Sequence, residues 1–174
     1  MMKKGIFFIL LLLIIFGVYN ANRQDIFIPD NSIRLRVIPN SNSSEDIYIK
    51  EKVKNYLEND IYLSVKDVTN IDEARKIIKE SIPRIEENID DIFVSNNYPL
   101  TYDVNYGKNY FPDKVYNGIK YDHGYYESLV ISIGNAEGDN WWCALFPNFC
   151  LIDVNKGHEY GSYFKEIISK YSKK

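Results

Sequence analysis

Two tryptophans stand side by side at Trp141 and Trp142, inside the run "GDNWWCALFPNFCLID" that spans residues 138–153. Neighbouring residues of a strand point to opposite faces. If the run is extended, no single core takes both rings. A fold built around it needs either a second layer on the other side of the sheet or a partner protein over the second ring. Burying an indole removes on the order of 200 Å² from water, so an uncovered one is a patch with a purpose. Trp141, Trp142, Phe146, Pro147 and Phe149 are therefore candidates for protein contact as well as for the core, and the sequence leaves the two open. Gly134, Gly138 and Asn140 supply the turn geometry that leads into the run, and "GNAEGDN" reads as a hairpin turn.

The rest of the pattern sets the layers. "IRLRVI" alternates Ile33, Leu35 and Val37 with Arg34 and Arg36, as a half-buried strand does, and Pro39 ends it. Ser43 or Ser44 then caps a helix with Glu45 and Asp46 in its first turn, and Ile49, Val53, Tyr56, Leu57 and Ile61 form one apolar stripe. A second helical pattern opens at Asn70 with Glu73 three residues on, and carries Ile71, Ala74, Ile78, Ile85, Ile89 and Ile92. Pro83 interrupts it, which predicts a kink or a restart capped by Ser81. "LTYDVNYG", "YFPDKVY", "YYESLVISIG", "WWCALF" and "FCLID" read as extended, and a final amphipathic helix presents Tyr160, Phe164, Ile167, Ile168 and Tyr171. This order predicts an α+β fold: one domain over residues 30–174, with an N-terminal strand and two or three helices on a mostly antiparallel sheet, and a C-terminal helix.

Residues 1–22 form a separate element. "MMKK" followed by "GIFFILLLLIIFGVY" is a positive flank and an apolar run from residue 5 to 19, the make-up of a signal peptide or signal anchor. As a helix the run reaches about 22 Å, short of a bilayer's hydrocarbon core. Against cleavage, Tyr19 stands where the peptidase prefers a small residue, and both readings stay open. Either one places the body outside the cytosol, with membrane contact only through residues 5–19.

Export changes what Cys143 and Cys150 mean, because an exported pair is most often a disulfide. Closing that loop contributes roughly 2 to 3 kcal/mol on the chain-entropy model. On one straight strand the two Cα atoms would lie about 23 Å apart, so a bridge requires the chain to turn near Pro147.

Charge and chemistry narrow the function. Beyond residue 22 the chain holds 19 basic and 24 acidic side chains, a formal −5, which gives no electrostatic footprint for nucleic acid. Lys170, Lys173 and Lys174 read as a solvated tail. Fifteen tyrosines reflect either base composition or a contact surface. A cysteine hydrolase would pair Cys143 or Cys150 with His123 or His158 and orient it with Asp139 or Asp153, but both cysteines have apolar neighbours suited to burial. Glu127 and Asp139 are a conceivable carboxylate pair for glycoside hydrolysis, with surface acids the simpler reading. No metal-ligand spacing, phosphate loop or dinucleotide fingerprint occurs, so no metal, cofactor or small-molecule substrate is expected.

The residues also resemble a known family. "GYYESLVISIGNAEGD" and "NWWCALFPNFCLID", at residues 124–153, look like the signature segment of the stage II sporulation protein R family of endospore-forming bacteria. "IRLRVIPNSNSSED" at residues 33–46 and "YFPDKVY" at residues 110–116 resemble its opening strand with the Asn-Ser turn and its Phe-Pro-x-Lys-x-Tyr segment. Asn148 departs from the pattern, where the family tends toward a second proline. The resemblance implies a non-enzymatic signal, made in the forespore and exported toward the mother cell. Its implied partner is a membrane-embedded aspartic protease, stage II sporulation protein GA, which processes the precursor of sigma factor E. The family brings no catalytic residues. An exported cysteine peptidase or amidase acting on the cell wall is the alternative from another class.

Overall fold

The computed structural model describes residues 11–12, 26–27, 31–116 and 119–147. Most of the N-terminal apolar run, Phe149, Cys150 and the expected C-terminal helix lie outside the described residues. The strands are β1 (Ile26–Phe27), β2 (Ile33–Ile38), β3 (Tyr102–Phe111), β4 (Lys114–Tyr116), β5 (Ile119–Tyr121), β6 (Gly124–Ile133) and β7 (Trp141–Phe146). Two helices, α1 (Ser44–Val65) and α2 (Ile71–Ser95), lie between β2 and β3.

Four strands form the main sheet in the order β3-β6-β2-β7, and β1-β5-β4 form a small second one. The β3/β6 pair is antiparallel from Tyr102↔Ile133 to Phe111↔Gly124, and β7 runs antiparallel to β2 with Val37 opposite Trp141 and Leu35 opposite Cys143. Between them β2 and β6 are parallel, Arg34 facing Ser128 and Ile38 facing Ser132. The architecture is thus the α+β one that the patterning predicts, with a mostly antiparallel sheet and helices on one face.

Both helices begin where the sequence asks. The Ser43 side chain accepts a hydrogen bond from the Asp46 N–H, and the Asn70 side chain accepts one from the Asp72 N–H, each satisfying a donor that the first turn leaves without a partner. The stripes then face the sheet. Ile49, Val53, Leu57 and Ile61 of α1, with Ile78, Ile85 and Ile89 of α2, pack on Leu35 and Val37 of β2, Leu129 and Ile131 of β6, and Trp141 and Leu145 of β7. Each such side chain contributes about 1.5 to 3 kcal/mol by leaving water. The helices are tied together at 2.9 Å by Arg84 Nη2 and Asp60.

Of the two expectations for Pro83, the restart is corrected here. α2 runs unbroken through Pro83, and Ser81, instead of capping a new helix, donates its hydroxyl to the Ile77 carbonyl at 2.8 Å. Ile78, Ser81, Ile85 and Ile89 are all buried on one face, while Pro83 lies on the exposed side. On that exposed side the carbonyl that the proline deprives of a donor is open to solvation, and continuous packing outweighs the local cost of about 3 kcal/mol.

Candidate functional site

β6 ends at Ile133 and β7 begins at Trp141, yet the two are not neighbours: β2 lies between them. Residues 134–140 therefore form no hairpin turn, contrary to the sequence expectation. They cross over the C-terminal end of β2, where residues 39–43 lead into α1. Two loops that pass so closely must satisfy each other's backbone groups. The Gly138 N–H donates to the Pro39 carbonyl at 3.0 Å and the Glu137 N–H to the Asn40 carbonyl at 3.1 Å. Asn40 Oδ1 accepts from the Asn135 N–H at 2.9 Å, and Asn42 Oδ1 from the Asp139 N–H at 2.7 Å. Lys50 Nζ adds a bond to the Asp139 carbonyl at 3.2 Å.

The predicted turn residues sit at this crossing. Gly134 has φ +55°, a left-handed conformation that favours glycine, and a side chain there would come within 2.8 Å of Asn40 Cγ. At Gly138 an added Cβ would lie 2.6 Å from the Ser41 carbonyl carbon. Backbone cannot swing aside as a side chain can, so Gly138→Ala is expected to cost roughly 2 kcal/mol. A lowered urea midpoint at unchanged slope would show it. Asn140 leads into β7 with its side-chain oxygen buried.

Beneath the crossing lies Asp46, in the first turn of α1 and only 6% exposed. Its carboxylate accepts from Asn40 Nδ2 at 3.0 Å, from the Ser41 hydroxyl at 2.5 Å and from the Tyr98 hydroxyl. Burial pushes its pKa up, but hydrogen bonds from Ser41, Tyr98, Asn40 and Ser43 prevail and hold it at about 2. Tyr98 follows α2, so this one carboxylate joins the β2–α1 loop to the far end of the second helix. Burial and the bond to Asp46 push the Tyr98 hydroxyl well above the usual tyrosine value.

β7 carries most of the predicted contact residues, and all that are described are buried. Trp141, at 6% exposure, belongs to the helix-side core; Trp142, at 3%, lies on the opposite face, edge-on to Phe111 with ring centroids 5.0 Å apart. Of the two arrangements the sequence leaves open, the structure shows one indole in each layer. Phe146 and Pro147 are buried beside them, and Phe149 lies outside the described residues. Cys143 is 4% exposed and is not a free thiol; Cys150 lies outside the described residues.

Sequence reasoning missed what accompanies Trp142. Alternation assigns Arg34 and Arg36 to solvent, but Arg34 is 1% exposed. Its guanidinium lies 3.3 Å from the centroid of the Tyr126 ring, and that of Arg36 lies 4.9 Å from Phe111 and 5.9 Å from Trp142. A planar, weakly hydrated guanidinium stacks on aromatic faces at low desolvation cost. Burial shifts the Arg36 pKa downward. The signal available in the sequence was the aromatic content of "YFPDKVY" and "GYYES", which supplies these rings.

The other candidate chemistry is engaged elsewhere. Glu127 receives a forked pair of bonds from Arg75, Nε to Oε1 at 2.9 Å and Nη2 to Oε2 at 2.8 Å, and a third from the Tyr106 hydroxyl at 2.7 Å. The Arg75 bonds foremost hold its pKa below the usual glutamate value, whereas a glycosidase acid needs a raised one. His123 Nδ1 lies 3.1 Å from Asp113 in an exposed pair, and His158 is outside the described residues. Among the described residues no group of His, Cys, Asp and Glu is placed to hold a metal, and no helix is long and apolar enough to cross a membrane.

Two of the segments on which the family resemblance rests, residues 33–46 and 124–153, meet at the crossing, while the third, residues 110–116, lies at the opposite end of the β3/β6 pair. The family model described as stage II sporulation protein R matches residues 29–156. A curated protein of Bacillus subtilis (strain 168), "Stage II sporulation protein R", is 36% identical over 137 residues, 79% of this chain and 61% of its own length. This chain thus spans less than two thirds of that relative. No solved structure matches it. With β2, the crossing loops and β7 all inside the matched stretch, the chain belongs to the stage II sporulation protein R family.

Proposed function

We propose that this chain is an exported sporulation signal that activates a membrane-embedded aspartic protease, stage II sporulation protein GA, so that the precursor of sigma factor E is cleaved. The observation that carries the reading is the family match over residues 29–156. The geometry agrees with it: two of the segments of the resemblance join their loops at one end of the sheet, and the polar groups there bond one another instead of converging on a reactive atom. Asn42, Asn135, Glu137 and Asp139 remain exposed there, as a surface read by a protein partner requires. The proposed disulfide, Cys143 with Cys150, fixes the chain after β7.

Co-expression with the protease and the sigma precursor in a non-sporulating host tests this. Cleavage that appears only when this chain is present supports it, and cleavage indifferent to the chain contradicts it. For the alternative, a cell-wall cysteine peptidase, the burial of Cys143 is unfavourable. Serine at either cysteine separates the two readings: a lost nucleophile abolishes hydrolysis with folding intact, whereas a broken bridge lowers stability alike from both positions.

A further inference from the structure

We propose that the C-terminal end of α2 is a docking surface for a basic partner segment with an apolar anchor. The proposal rests on the signalling reading above and names the face that would carry it. From residue 85 to 107 the chain has no Lys or Arg, while Glu86, Glu87, Asp90, Asp91 and Asp103 are acidic. Glu86 with Asp90, and Glu87 with Asp91, are like charges at i,i+4 on a helix, which repel. They also stand near the C-terminus of α2, where the macrodipole is negative and no basic residue occupies the last turn. Among the described residues none of these four carboxylates forms an ion pair. Like-charge spacing and the helix dipole both disfavour this arrangement, and local conflicts of this kind in a native sequence are found at functional or strained sites.

Of these acids Asp90 lines an open groove of about 790 Å³, together with Phe93, Val94, Tyr98, Leu100 and Tyr102. Val94 is 78% exposed, the most exposed of the large apolar side chains among the described residues. It lies on the stripe of Glu87 and Asp91, so an apolar side chain inserted beside it would bring flanking cations to both carboxylates. The groove is rigid where it matters. Asn97, at φ 51°, closes the helix with a Tyr98 N–H to Phe93 carbonyl bond of 2.9 Å. Tyr98 reaches back to Asp46, and Tyr102 donates to Asp90 at 2.8 Å. The Gly134 N–H bonds the Thr101 carbonyl at 2.8 Å, which joins this face to the loop crossing. Charge complementarity therefore selects a basic protein segment, not an anionic lipid surface.

The test is the precursor-cleavage assay with the full chain, at matched and limiting amounts, for wild type, Asp91→Lys and Val94→Asp. Asp91→Lys relieves the repulsion with Glu87 and suits the helix dipole, so it should raise the melting temperature while cutting cleavage about tenfold or more. Gain of stability with loss of signalling is a result that a merely structural residue does not give. Val94→Asp should lose signalling similarly, with a small loss of stability from the carboxylate added near Asp91 and the helix C-terminus. Wild-type cleavage with both variants equally active would overturn the docking surface alone. No cleavage with wild type would overturn the signalling reading and this inference with it. Loss of signalling reproduced by deleting residues 170–174 would assign the groove to the chain's own lysines and overturn a partner segment.

Discussion

Trp142→Ala is expected to lower folding stability by about 3 to 5 kcal/mol, which for a domain of this size corresponds to a melting temperature lower by roughly 10 °C. The ring is 3% exposed, edge-on to Phe111, with Lys114 Nζ 5.4 Å from its centroid and Arg36 at 5.9 Å. Removing it leaves a cavity and deprives these cations of their aromatic contact, so the lost transfer energy and the cavity term add. Trp142→Phe should recover much of the loss. Thermal unfolding followed by circular dichroism measures both. Precursor cleavage per folded molecule should stay near wild type for both variants. A variant that folds normally but fails to signal would show that Trp142 meets the partner directly.

Asp46→Ala is expected to cost about 3 kcal/mol, because it strands buried donors instead of removing a matched pair. The side chains of Asn40 and Ser41 and the Tyr98 hydroxyl all lose their acceptor. The same group gives the acid limb of the stability curve. Its pKa is about 2 in the fold against an ordinary 3.8. A depressed carboxylate contributes stability that is complete above its unfolded pKa and vanishes as pH falls through its folded one. The gap in melting temperature between wild type and Asp46→Asn should therefore be constant above about pH 5 and narrow steadily as pH falls toward about 2. A gap independent of pH would remove Asp46 as the junction's electrostatic centre.

Local patterns were legible where one interaction decides them. The stripe of Ile49, Val53, Leu57 and Ile61 placed α1, and Asn70 capped α2 as its side chain predicts. What failed were features that depend on neighbours remote in sequence. Nothing in "GNAEGDN" distinguishes a hairpin from a crossing, because the turn residues are the same; the difference is that β7 takes the free edge of β2. The parallel pairing of β2 with β6 is likewise set by the helices between β2 and β3, which return the chain to a distant edge. Alternation misassigned Arg34, since period 2 says only that a residue faces away from the first core, and here a second layer covers that face. The neighbouring tryptophans did announce two faces. Only the structure shows both rings buried, with exposed chemistry gathered on the loops and the end of α2.

The most direct test of the central claim is compartment. The full chain and a form lacking residues 1–22 are each co-expressed with the protease and the sigma precursor, and cleavage is followed at equal amounts of the two proteins. An exported signal predicts cleavage with the full chain and none with the form held in the cytosol. Equal cleavage from both forms would contradict export as the basis of signalling, and cleavage without either would remove this chain from the pathway.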